Sequence, residues 1–171
     1  MKLENLISRR PLQTLALGLA LLGLQSCEYI KPVVIPAKDG GAPLAVGTLF
    51  DPETGDFYGG EGDIYYTDDL DESFYFILSG FDSGGARRLS WCGDWEINGW
   101  EGGGPCGSKW QTGYPGDVVD NGMWEPFHFK LSNLNYGTAP PESLKFRFEV
   151  EAMDFHGNIS RTSTPWIVYK K

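Results

Sequence analysis

Large apolar and polar side chains alternate most cleanly near the end of the chain. Leu144, Phe146, Phe148, Val150 and Ala152 fall on one side of an extended backbone, with Lys145, Arg147, Glu149 and Glu151 on the other. That period of two predicts a strand over 144–152 with one face on a core and one in water. Ser73 to Phe81 (SFYFILSGF) is apolar almost throughout and rich in aromatic residues, which suits a buried sheet position. Shorter runs at 45–50, 63–67, 87–92, 124–131 and 159–169 read as further strands. The segments between them carry turn chemistry, such as Asp51-Pro52-Glu53-Thr54-Gly55 and Asp82-Ser83-Gly84-Gly85. In 124–131 the large apolar positions are Trp124, Phe127, Phe129 and Leu131, and Pro126 assigns the start of that strand to a sheet edge or bulge. From Leu44 on, no window holds a 3.6-residue period with helix caps. About seven short strands joined by turns predict an all-β, two-sheet antiparallel sandwich over residues 44–171.

Residues 93–122 break this rhythm. They contain nine glycines and no clear strand, so they are expected to form a long loop, of the kind that carries function or is disordered. Ahead of the sandwich, residues 28–43 (EYIKPVVIPAKDGGAP) read as a flexible tether. Pro32, Pro36 and Pro43 keep it extended and Gly40-Gly41 loosen it. Fully extended, it reaches at most about 50 Å.

The first 27 residues have a different pattern. Lys2, Arg9 and Arg10 precede an unbroken apolar run, LALGLALLGL, over 15–24, and Ser26 stands before Cys27. A basic start, a short apolar core and a small residue before the cut make a secretory signal, and the core is too short to span a bilayer. Leu24-Gln25-Ser26-Cys27 resembles the lipobox of bacterial lipoproteins. The resemblance implies removal of residues 1–26, diacylglyceryl transfer to the Cys27 thiol, and anchoring of residues 27–43 and the domain they lead to. Two or more acyl chains give stable membrane attachment. Ser8-Arg9-Arg10-Pro11-Leu12 is similar to a twin-arginine signal, but its flanks and the strongly apolar core favour ordinary secretory export.

Charge narrows the partners. The chain carries a net charge of -9, and loss of Lys2, Glu4, Arg9 and Arg10 with the leader takes it to -11. So acidic a domain does not favour nucleic acid or anionic lipid surfaces. Residues 51–72 hold nine acids and no Lys or Arg. They read as a solvated face, and their spacing matches no calcium-loop pattern, although hard cations do take carboxylate ligands. With Cys27 assigned to lipid, Cys92 and Cys106 remain as an even pair in an oxidising compartment. A bridge between them would staple the glycine-rich segment and stabilise by roughly 3 kcal/mol.

Two stretches resemble the bacterial immunoglobulin-like domains of secreted and surface proteins. One is Phe76-Ile77-Leu78-Ser79-Gly80-Phe81-Asp82-Ser83-Gly84-Gly85 with the strand after it. The other, more specific, runs from Phe146 to Ser160 and contains Val150-x-Ala152-x-Asp154-x-x-Gly157-Asn158-x-Ser160. The resemblance implies an immunoglobulin-like β-sandwich over 44–171. That fold hosts many roles, so it implies architecture and not activity.

Candidate chemistry concentrates in 91–124, which holds Trp91, Trp95, Trp100, Trp110 and Trp124, five of the six tryptophans, with Tyr114 among them. Asp94, Glu96, Asn98, Glu101, Gln111, Asp117, Asp120 and Asn121 stand between the rings. Flat aromatic faces stack on sugar rings and fill interface hot spots, and carboxylates and amides bind hydroxyls. Trp95, Trp100, Trp110 and Tyr114 are therefore the ligand-binding candidates. The alternative is a satellite core under the stapled loop, with Trp91 its first member. Catalysis is not expected. No Gly-x-Ser-x-Gly, P-loop or His-Glu-x-x-His motif occurs, and nothing singles out two carboxylates. Cys92, Cys106, His128 and His156 lack the close ligand pairs of a zinc site, so no metal or cofactor is expected. The expected protein is a binding, adhesion or structural module of the bacterial cell envelope. It would be anchored through Cys27, at the outer membrane rather than the inner, and meet an envelope protein or a polysaccharide.

Overall fold

The computed structural model describes residues 30–51, 55–59, 62–137 and 139–171. The leader, Cys27 and its proposed acyl group lie outside the described residues, as does part of the acidic 51–72 run. Twelve strands are present among the described residues: β1 Pro32–Val34, β2 Leu44–Phe50, β3 Phe57–Gly59, β4 Ile64–Thr67, β5 Phe74–Phe81, β6 Ala86–Ile97, β7 Trp100–Trp110, β8 Val118–Asp120, β9 Gly122–Phe129, β10 Ser143–Asp154, β11 Ile159–Ser163 and β12 Trp166–Lys170. The only helical turn among these residues is a 3₁₀ turn at Leu131–Asn133, and no described helix is long and apolar enough to cross a membrane.

A four-stranded antiparallel sheet has the order β3-β2-β5-β9. A six-stranded sheet has the order β4-β12-β10-β6-β7, with β11 beside the far half of β10. Within it β4 runs parallel to β12. The two sheets meet through the faces that the period-two pattern makes apolar. Leu144, Phe146, Phe148, Val150 and Ala152 are all fully buried or nearly so. Phe76 of β5 meets Phe146 and Phe148 of β10 edge-on, at ring-centroid distances of 6.2 and 5.1 Å. Phe129 of β9 stacks on Phe146 at 4.3 Å. Burying each such side chain stabilises the fold by about 1.5–3 kcal/mol. β9 is an edge strand, which suits the missing N–H of Pro126.

The return expected over 159–169 is two strands rather than one. Pro165 has no N–H to offer β10, and the pairing register steps by one residue there. Thr164 bridges the break. Its N–H donates to the Phe148 carbonyl at 2.9 Å, and its hydroxyl accepts the Phe148 N–H at 2.9 Å.

Two sequence expectations need correction. The stretch 93–122 is not a long loop: β6 and β7 form an extended antiparallel hairpin through it. Its turn is Asn98-Gly99, both at positive φ (50° and 82°), the conformation that twists a two-residue turn to match its strands. The Asn98 side chain also accepts the Glu142 and Ser143 N–H groups at 3.0 and 3.1 Å. Midway, Gly93 faces the pair Gly104-Pro105 across a one-residue register step, a bulge that absorbs the proline.

The described part of the 27–43 tether is not a free spacer either. β1 pairs with β8, and Ile35 is 1% exposed. The Ile35 N–H donates to the Asp117 carbonyl at 2.9 Å, and Asn121 bonds Lys31 through both its side chain and its N–H. Prolines that hold a tether extended also hold it in strand geometry, and Val118-Val119 supply the partner.

Candidate functional site

The tryptophans divide between two faces of the β6–β7 hairpin. Trp91 and Trp95 point toward the core, Trp91 as a buried member and Trp95 packed against it. Each lies over its cross-strand partner on β7, Trp91 on Gly107 and Trp95 on Gly102. The Trp95 indole N–H donates to the Gly103 carbonyl at 2.8 Å. Trp95 is thus a structural residue. Trp100 pairs with Ile97 at the hairpin tip and is 79% exposed. Trp110 pairs with Arg88 at the opposite end, on the outer face, and is 55% exposed. Trp100 and Trp110 therefore form no common platform. Tyr114 is exposed in the turn after β7, where its N–H donates to the Asp117 carboxylate at 2.8 Å.

Most polar residues offered by the sequence as ligand contacts hold the fold instead. Gln111 donates to the carbonyls of Ala86 and Asp120 and accepts the Asp120 N–H. Asp94 accepts from Arg147 at 3.2 Å and Glu96 from Lys145 at 2.7 Å. Cys92 and Cys106 are joined, as expected, across a directly paired position of the hairpin with Cα atoms 4.1 Å apart. That removes both from any zinc site. The bridge lies on the exposed outer face.

On that face lies a groove of about 620 Å³, within the range of ligand clefts. The register explains it. Successive rows across β7, β6, β10 and β11 read Cys106–Cys92–Glu149–Ser163, then Ser108–Ser90–Glu151–Arg161, then Trp110–Arg88–Met153–Ile159. The middle row has two serines side by side on β7 and β6, so the sheet is low there. The disulfide rises on one side and Trp110 with Arg88 on the other. Trp110 is fixed twice: its indole N–H donates to Ser108 Oγ at 3.1 Å, and the Arg88 guanidinium lies 5.2 Å from its ring centroid. Glu151 bonds Arg88 through one oxygen and Arg161 through the other, the latter at 2.7 Å. Arg147 sits 4.4 Å from the Trp166 ring centroid and reaches Glu149 at 3.4 Å. Two buried polar atoms of the lining residues, Arg88 Nε and Ser163 Oγ, have no hydrogen-bond partner among the described residues.

Of the groove residues, only Trp110 and the two cysteines stand out in the sequence as candidates. Arg88, Glu151 and Arg161 sit on the polar sides of strands and look like ordinary solvated positions.

A second cluster lies under the N-terminal segment. Carboxylate oxygens of Asp39, Asp82 and Asp154 fall within 4.8 Å of one another. Asp154 accepts the His156 and Asn158 N–H groups, both at 2.8 Å, closing the turn between β10 and β11. Asp82 accepts the Gly84 N–H at 2.7 Å. Burial raises the Asp82 carboxyl above its ordinary 3.8. The Gly84 N–H opposes that shift, and the Asp39 and Asp154 charges add to it.

No protein-family model matches this chain, and no curated protein matches it.

Proposed function

We propose that this protein is a lipid-anchored binding module of the bacterial cell envelope, an immunoglobulin-like sandwich that binds an extended polar ligand in the outer-face groove. The observation that carries the reading is Trp110, a half-exposed ring held in one orientation on the wall of a 620 Å³ groove. A flat ring fixed in advance loses little entropy when a ligand stacks on it. Strand order supports the immunoglobulin-like part. β2-β5-β9 forms one sheet, and β11 and β12 with β10, β6 and β7 form the other, the partition such domains use. Anchoring rests on the lipobox resemblance at Cys27. The groove gives no reason to assign catalysis.

Retention on insoluble polysaccharides and on cell-envelope fractions tests the reading, with wild-type protein beside Trp110→Ala and Trp100→Ala. Wild type and Trp100→Ala should be retained and a folded Trp110→Ala lost. Retention of none, or of Trp110→Ala as strongly as wild type, overturns it. Lipidation is tested separately by mass spectrometry of the protein from cells, which should find acylated Cys27 at the mature N-terminus.

A further inference from the structure

The outer face of the four-stranded sheet carries no Asp, Glu, Lys or Arg. An antiparallel sheet with one face on a core normally turns polar residues outward, and β10 does so with Lys145, Arg147, Glu149 and Glu151. On β3, β2, β5 and β9 one outward row reads Phe57–Phe50–Tyr75–His128. Its rings meet in pairs, Phe50 with Phe57 at a centroid distance of 4.8 Å and Tyr75 stacked on His128 at 4.7 Å. Further along the strands, the row Val46–Ser79–Trp124 has one large side chain, so Val46 and Ser79 form a hollow beside Trp124. The row between them, through Ile77, is uncharged as well.

The face is large enough to need a partner. Leu44, Phe57, Tyr75 and Trp124 are each between 39 and 61% exposed. At about 200 Å² for a large side chain, these four leave roughly 400 Å² in water. The exposed rings of Pro126 and His128 add to it. Apolar patches of this size on a monomer often carry function. Two copies set face to face would bury on the order of 1,000 Å², the area a specific interface needs. Charge points to a second copy. Chains of net charge -9 repel one another through their charged surfaces, and this face adds nothing to the repulsion. A bilayer suits it less well, because faces that lie on membranes mix Lys and Arg with their apolar residues. Shape agrees. A twofold axis lying between two such faces and across their strands puts the ring row of one copy over the hollow of the other, and symmetry repeats the contact.

We propose that this protein pairs with a second copy of itself through the outer face of the β3-β2-β5-β9 sheet, as a twofold dimer in which Trp124 of each copy meets Tyr75 and His128 of the other. The groove lies on the outer face of the opposite sheet, so pairing leaves both grooves open and stands or falls apart from the ligand reading.

The test is photocrosslinking of the full chain in the cells that produce it. Benzoylphenylalanine takes the place of Trp124 in one variant and of Trp100, at the exposed hairpin tip, in the control. Two epitope tags on co-expressed copies identify a self-adduct. Position 124 should give a covalent dimer carrying both tags, with the link on β5 or β9 of the second copy. Position 100 should give at least about tenfold less, since it lies outside the face. Adding Tyr75→Glu to the position-124 variant puts a carboxylate into each half of an apolar contact and should lower the yield at least about tenfold. Tyr75 is partly exposed, so the variant should stay folded, and a thermal melt checks that it does. No self-adduct at position 124 overturns the proposal. Equal yields at 124 and 100 mean collision between neighbours and overturn it too, as does a folded Tyr75→Glu variant with undiminished yield. Adducts at 124 to lipid alone, or to a different protein alone, assign the face to that partner and also overturn the dimer.

Discussion

The indole of Trp95 occupies the space where a side chain at Gly102 would stand. Trp91 does the same over Gly107. The glycines of β7 are thus the complement of tryptophans on β6, an aromatic covering of an edge strand that has little side-chain mass of its own. Gly102→Ala should lower the unfolding free energy by about 1–3 kcal/mol, as overpacking does. Gly103→Ala, where a Cβ meets nothing within 4 Å, should change it by less than about 0.5 kcal/mol. Urea titrations of both variants check this, and equal effects would refute the pairing argument.

The cross-strand bridge should matter less for the fold than for the hairpin. Cys92 and Cys106 are already opposed in register, and Asn98-Gly99 already turns the chain. The chain-entropy model for a separation of 14 residues gives roughly 3 kcal/mol, and the preformed turn makes that an upper value. Cys92→Ser/Cys106→Ser should therefore stay folded. Its faster amide exchange should be confined to about 94–106, the half of the hairpin beyond the bridge. Uniformly faster exchange over both sheets would count against this.

The half of the fold that was legible from sequence is the half whose strands carry their own apolar stripe. β10 announces itself because every second residue is a core residue. β7 does not, because its core-facing positions include Gly102 and Gly107 and the apolar mass above them belongs to β6. Asn98-Gly99 was the available sign of a hairpin, masked by the surrounding glycines. The groove was hidden for another reason. Ser90, Ser108, Glu151 and Arg161 become one row only through the pairing register, which no single strand's pattern contains. Trp95, Trp100 and Trp110 looked equivalent by composition. Their roles separate only because the bulge at Gly93 puts Trp100 and Trp110 on different faces.

The N-terminal segment should detach before the sheets do. Among its described residues only Ile35 and Pro43 are buried, and β1 is only three residues long. Deleting a buried Ile side chain to Ala costs about 2–5 kcal/mol, more than so short a strand offers in return. In Ile35→Ala, trypsin should cut after Lys38 at least about tenfold faster, while the global unfolding midpoint moves little, as local opening requires. A large midpoint fall with unchanged cleavage would make the segment part of the cooperative core.

The Asp82 carboxyl gives the fold a pH dependence opposite to that of a salt-bridged acid. Its folded value is raised above 3.8, first by burial and then by Asp39 and Asp154. Between the unfolded value and the raised one, the folded state binds more protons than the unfolded state. Stability contributed at this site therefore falls as pH rises through that window, and the loss is complete above it. Asn at this position keeps the oxygen that accepts the Gly84 N–H and carries no charge. Asp82→Asn should therefore melt higher than wild type at pH 7, and the two should converge as pH drops below about 3.8. Melting curves of both proteins from pH 7 down to 3.5 decide it. If Asp82→Asn is less stable than wild type at pH 7, the Asp82 charge must be stabilised in the folded state, and burial does not govern this carboxylate.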